Sequence, residues 1–298
     1  MPQASFDDIV DDCKDSLAWC IKNLPDIVGA ETIDIDRYVV AGDSAGGTLS
    51  TLCGHILSPS PKVVIDVFGV IDPLDIGKGG LPNEPWSRDY GDKLEEIMEK
   101  AKMDRDLSKA EFICPWYWEY PDQMDPEDLK SFWGMPDFEI QEKHKFRMDL
   151  NNYISLKRER FEILYRKDAF ESEEEYVRYV KSISPYHLLD GKSKSDYPPT
   201  FILHGTGDSA VPVEQSYKFA KKLRELGIDV DERYKEGGEH CFENKIEVSP
   251  IKFEGYELTH SDLEMMGGRS LSYHVWISWT STLGSKIQAV YITSINGL

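Results

Sequence analysis

Val39-Val40-Ala41-Gly42-Asp43-Ser44-Ala45-Gly46-Gly47-Thr48-Leu49 is the stretch whose reading decides the fold. A β-branched run enters a Gly-x-Ser-x-Gly turn, and apolar residues at helical spacing (Leu49, Leu52, Cys53, Ile56, Leu57) leave it. The pattern predicts a strand, a tight turn and a helix, with Ser44 at the apex and its hydroxyl in the open. A turn that sharp brings the flanking strand and helix into contact, so glycine is needed at Gly42 and Gly46, and Asp43 and Gly47 complete the elbow. A pentapeptide of this type arises often by chance; the strand before it and the helix after it give it weight.

Outward from the turn, Ser5 and Asp8 form an N-terminal capping pattern for an amphipathic helix over 6–24. Phe6, Ile9, Val10, Cys13, Leu17, Cys20, Ile21 and Leu24 share its apolar face, and Pro25 is expected to help end it. Lys62 to Ile71 is a near-continuous apolar run, the signature of a buried parallel strand. Pro198 to His204 reads as another strand, 213–226 as a helix closed by Gly227, and 228–234 as a further strand. Between Asp72 and about Pro185 the alternation stops. Turn-rich sequence and charged helical segments near 92–103, 142–166 and 172–182 surround an aromatic group (Phe112, Trp116, Tyr117, Trp118, Tyr120, Phe132, Trp133, Phe138).

The resulting expectation is an α/β fold: a mostly parallel sheet flanked by helices, built from residues 1–75 and 184–245, with a helical cap inserted over 76–183. The tail, 246–298, is atypical: rich in Ser, Thr, Ile, Val and Trp with little helical periodicity, it fits extra strands, a disordered extension or a sequence not shaped by the fold. The aromatic group has two readings, packing of the cap's own core or lining of an apolar pocket.

Composition narrows the partners. With a net charge of -20 and 40% hydrophobic residues, the 298-residue chain can bury a large core. Its acidic field disfavours nucleic acid and anionic membrane surfaces. No apolar run approaches a membrane span, the start lacks the charge pattern of a signal peptide, and five cysteines without C-x-x-C spacing suit a reducing, cytoplasmic setting. No metal and no cofactor are expected, since no zinc spacing, Walker A motif or dinucleotide fingerprint is present. Oligomeric state is not encoded in any of these features.

Three segments taken together, Gly42-Asp43-Ser44-Ala45-Gly46-Gly47, Gly207-Asp208-Ser209-Ala210-Val211-Pro212 and Gly238-Glu239-His240-Cys241-Phe242, resemble the α/β-hydrolase superfamily. The nearest branch is that of the hormone-sensitive-lipase-like esterases, over about residues 5–75 and 184–243. Ser, Asp, His is the chain order that superfamily uses. The resemblance implies a serine hydrolase of a carboxylic ester working on a small-molecule substrate through an acyl-enzyme. Ser44 would be nucleophile, His240 base then acid, and Asp208 the residue that orients His240. Singly, an Asp in a Gly-rich turn is a common turn residue and a lone His is commonly structural; Asp43, Asp66, Asp72, Asp75, His55, His187 and His204 are the rivals. The Ala45 N–H would be one oxyanion donor. The second donor normally comes from a glycine-rich loop on an earlier strand, and no His-Gly-Gly-type loop lies among the 43 residues before Ser44. Two alternatives therefore stand beside the esterase: a prolyl-oligopeptidase-like peptidase, which the Asp and His segments also resemble, and a truncated or non-catalytic hydrolase-fold protein.

Overall fold

The computed structural model describes residues 2–30, 33–34, 36–76, 89–109 and 142–242, together with the backbone of four short strands in 252–291. Helix α1 (Phe6–Val28) is followed by β1 (Tyr38–Asp43), α2 (Ala45–Ile56) and β2 (Val63–Val67). Helices α3 (Leu94–Lys102), α4 (Glu142–Lys157), α5 (Arg160–Leu164) and α6 (Glu173–Ile183) lead to β3 (Thr200–Gly205), α7 (Glu214–Glu225) and β4 (Val230–Lys235). Strands β5 (Lys252–Phe253) and β6 (Tyr256–Glu257) form a small antiparallel pair, and β7 (Ile277–Thr282) and β8 (Ser285–Tyr291) complete the described elements.

The sheet order is β4-β3-β2-β1-β8-β7. The first five strands run parallel, with Val40 opposite Val64, Val64 opposite Thr200 and Leu203 opposite Arg233; β7 alone is antiparallel to its neighbour β8. Of the three readings open for the tail, extra strands is the one observed at 277–282 and 285–291.

Parallel strands bury both faces, and the packing follows. Val40, Val64 and Ile202 on the strands pack with Leu52 and Cys53 of α2, Cys13 and Leu17 of α1, and Phe219 and Leu223 of α7 in one core. A second apolar cluster joins Met98 of α3, Leu150, Tyr153 and Ile154 of α4, and Ile163 of α5. The aromatic group from Phe112 to Phe138 lies outside the described residues.

Three elements differ from the sequence reading in their ends. Helix α1 runs four residues past Leu24 with Pro25 inside it, closing at Gly29 with φ 89°. Proline's fixed φ is helical, and the missing N–H removes one bond, to Ile21, so one more turn survives. The segment near 142–166 is two helices, broken where Arg158 takes φ 61°. The strand expected through Ile71 stops at Val67 because Phe68 turns left-handed, φ 44°.

Candidate active site

Strand β1 carries Ser44 to the carboxyl edge of the sheet. Ser44 takes φ 53°, a conformation unfavourable for a side chain bearing Cβ, and is held there by its N–H to Val67 O at 2.9 Å and by its own carbonyl, which accepts Thr48 N–H at 3.2 Å. The glycine requirement read from sequence has a physical cause at Gly42, and the structure adds one at Gly47. A Cβ on Gly42 would overlap the Gly46 carbonyl, and one on Gly47 would sit 2.5 Å from Asp66 Oδ1 and 2.8 Å from Gly69 Cα. Ala45 is the first residue of α2, where the backbone N–H has no partner within its own helix and the helix dipole is positive.

Asp208 and His240 come from the loops after β3 and β4. Those two strands are paired along their length, and the loops stay in register beyond the sheet: Gly207 N–H donates to Gly238 O at 2.9 Å, and Thr206 N–H to Lys235 O at 2.9 Å. His240 then stands between the other two residues, with Nε2 2.9 Å from Ser44 Oγ and Nδ1 2.7 Å from Asp208 Oδ2. Residues 164 and 196 positions apart in sequence from Ser44 thus meet in one line.

The carboxylate of Asp208 is fully enclosed, whereas the His240 side chain keeps about a fifth of its surface in solvent. Burial by itself would push the Asp208 carboxyl up, yet the hydrogen bonds from His204 and His240 and from the Val211 N–H outweigh it and hold the group far below the usual carboxylate range. Asp208 Oδ1 also accepts the N–H of Ala210 at 2.9 Å and of Val211 at 2.8 Å. With Asp208 acceptor-only, the His240 proton belongs on Nδ1, and Nε2 is left as the acceptor that faces Ser44. This geometry is sufficient for proton transfer from Ser44 Oγ to His240 Nε2.

Of two further elements of the site, Phe68 was not singled out from sequence, and Asp66 stood there only as a rival carboxylate. The ring of Phe68 lies 4.7 Å from that of His240 and 6.2 Å from those of His204 and Phe242, so its left-handed backbone serves to place an aromatic wall beside the imidazole. Asp66, on β2, is wholly buried behind the elbow; Oδ1 accepts Gly69 N–H at 2.9 Å, and burial pushes its carboxyl up to about 6. No motif marks either residue, since both depend on what the sheet brings next to them.

A family model described as "alpha/beta hydrolase fold" matches residues 1–112, and one described as "Prolyl oligopeptidase family" matches residues 137–250. The chain belongs to the α/β-hydrolase superfamily. Curated relatives of this α/β-hydrolase include the non-reducing polyketide synthase Preu6 of Preussia isomera, 26% identical over 75% of this chain and 10% of that protein. A second is the non-reducing polyketide synthase pkbA of Emericella nidulans, 26% identical over 78% of this chain and 10% of that protein. The α/β-hydrolase chain thus spans about a tenth of the length of these relatives. Among solved structures, an esterase from Thermogutta terrifontis with butyrate bound is 19% identical over 80% of this chain and 58% of that one, TM-score 0.40. Esterase B of Lactobacillus rhamnosis is 15% identical over 81% and 55%, TM-score 0.44.

Among the rivals, Asp72, His187 and His55 have partners outside the Ser44–His240–Asp208 line. Asp72 accepts from Lys218 at 2.9 Å and lies 3.4 Å from His187 Nε2; His55 Nε2 is 3.1 Å from Pro185 O. Asp43 is half-buried, and burial raises its carboxyl. Among the described residues no group of three His, Cys, Asp or Glu side chains is arranged to hold a metal, and no helix is long and apolar enough to cross a membrane.

Proposed function

We propose that this α/β-hydrolase chain is a serine hydrolase that cleaves a carboxylic ester through an acyl-enzyme. The observation that carries the reading is the unbroken line from Ser44 Oγ through His240 to Asp208, at 2.9 and 2.7 Å. Ser44 Oγ attacks the ester carbonyl carbon as its proton passes to His240 Nε2, and the oxyanion that forms takes the Ala45 N–H. Collapse of the tetrahedral species breaks the bond to the alcohol, which leaves with the proton from His240. Water repeats the sequence: it gives a proton to His240, attacks the acyl carbon, and releases the acid and free Ser44. Asp208 stabilises the imidazolium in both halves and takes no proton itself. Residues 76–183 form the cap over this site in this reading, and a small-molecule ester is its partner.

Two observations favour neighbouring readings of the substrate. The match of residues 137–250 to the prolyl oligopeptidase family favours a peptide bond in place of the ester. Similarity over three quarters of the chain to non-reducing polyketide synthases favours a polyketide as the acyl group.

An alkyl fluorophosphonate probe tests the nucleophile. Wild type should be labelled and Ser44→Ala should not; equal labelling of the two overturns the proposal. A panel of short-chain esters, aryl polyketide esters and peptidyl amides then ranks the substrates by kcat/KM, and Ser44-dependent turnover of any of them excludes a non-catalytic protein.

A further inference from the structure

His204 is a buried histidine that the reaction sequence above leaves unused. It lies at the end of β3, its side chain has no solvent exposure, and its ring reaches the same Asp208 oxygen that His240 bonds. Nε2 lies 3.0 Å from Val211 O and 3.3 Å from Asp208 Oδ2. Both neighbours are acceptors, so Nε2 must carry a proton whatever the charge of the ring. Nδ1 lies 2.7 Å from Ser216 Oγ, on α7, a hydroxyl able to donate to a neutral ring and accept from a charged one.

Asp208 Oδ2 is therefore shared between two imidazole donors, His240 at 2.7 Å and His204 at 3.3 Å, while Oδ1 takes two backbone N–H groups. Rotation about the Cβ–Cγ bond of Asp208 would forfeit the three hydrogen bonds from His240, Ala210 and Val211 together with the 3.3 Å contact to His204 Nε2. Within a water-poor site each of those bonds is worth more than at the surface. Phe68 touches both rings from one side, and Asp66 on β2 supplies the other charge facing His204. The second histidine is thus built into the site by β2, β3 and α7 together.

We propose that His204 is a positioning residue: with Ser216 fixing its ring, it anchors Asp208 Oδ2 so that the carboxylate stays aimed at His240 Nδ1 and keeps His240 in the tautomer that accepts from Ser44. This rests on the serine-hydrolase reading for its consequence in turnover, but the anchoring itself is readable without any substrate.

The test uses the low-field proton NMR resonance of the hydrogen between His240 Nδ1 and Asp208 Oδ2, assigned by its disappearance in His240→Gln, alongside steady-state kinetics on the best ester of the panel. His204→Leu should shift or broaden that resonance and lower kcat about tenfold, the loss of one hydrogen bond to a charged group, with KM unchanged. His204→Gln, whose amide N–H2 reaches from the position of Nε2, should restore both. A resonance and kcat unmoved in folded His204→Leu would overturn the proposal, as would equal loss in the Leu and Gln variants with lowered thermal stability, which marks a purely packing role. Should His204→Leu fail to fold, Ser216→Ala carries the test: a broadened resonance supports anchoring and an unmoved one overturns it. If no ester is turned over, the resonance still answers for His204 while the kinetics count against the serine-hydrolase reading alone.

Discussion

Gly205 and Gly238 meet backbone to backbone where the loops after β3 and β4 leave the sheet. A Cβ on Gly205 would overlap the Gly238 carbonyl and lie 3.0 Å from its Cα, and a Cβ on Gly238 would lie 3.1 Å from Gly205 Cα. This contact sets the spacing of Asp208 and His240, because each follows its glycine by two or three residues.

Gly205→Ala should therefore act on stability and on the site together. Neither backbone can yield without breaking the Gly207 N–H bond to Gly238 O, so a loss of about 3 kcal/mol in unfolding free energy is expected, the upper part of the range for single substitutions. Urea unfolding measures it, and kcat of the folded fraction should fall with it.

Asp208→Asn should keep the shape of the site and lose its electrostatics. An amide in place of the carboxylate removes the negative charge opposite His240 and permits the wrong imidazole tautomer, so kcat should drop by about 10⁴ with little change in KM. The same variant tests a pH dependence. The folded-state carboxyl sits below its ordinary value, so its stabilising contribution is complete above about pH 4, the unfolded value, and is lost as pH falls further. Thermal melts of wild type against Asp208→Asn should converge on acidification below about pH 4.

Asp66 has the opposite sign. Burial raises its carboxyl to about 6, so between about pH 4 and pH 6 the folded chain holds a proton that the unfolded chain has released. Stability from this group is full below about pH 4 and is lost as pH rises through 6. The unfolding free energy of wild type relative to Asp66→Asn should fall by about 3 kcal/mol between pH 4 and pH 7, since each tenfold difference in proton affinity between the folded and unfolded chain corresponds to about 1.4 kcal/mol. Denaturant titrations at pH 4, 5.5 and 7 give the difference directly.

At the start of α1, Ser5 Oγ accepts the Asp8 N–H at 3.3 Å, and Asp8 Oδ2 accepts the Ser5 N–H at 2.7 Å. Ser5→Ala removes one half of this reciprocal cap and should cost about 1 kcal/mol. Because α1 packs Phe6, Cys13 and Leu17 into the main core, the loss should appear in global unfolding.

The amino-acid sequence by itself determined the local elements whose causes are local. The Gly42–Gly47 elbow, the cap at Ser5 and Asp8, and Gly227 closing α7 at φ 73° are each written in residues adjacent in the chain. It also named Ser44, Asp208 and His240 as candidates, through turn chemistry at three strand ends. Tertiary structure decided the rest. Parallel pairing of β3 with β4 brings the Asp208 and His240 loops together, and pairing of β1 with β2 sets Ser44 opposite them, so the distances of 2.9 and 2.7 Å are properties of sheet register. His204 shows the difference most clearly. In sequence it is a histidine at the end of an apolar strand, indistinguishable from one that fills a core. In the fold its ring lies between Asp208 and Ser216, residues 4 and 12 positions away, because the strand, its loop and α7 curl around one carboxylate. Strand alternation tells which face a side chain takes; which partner waits there depends on elements that approach from elsewhere in the chain.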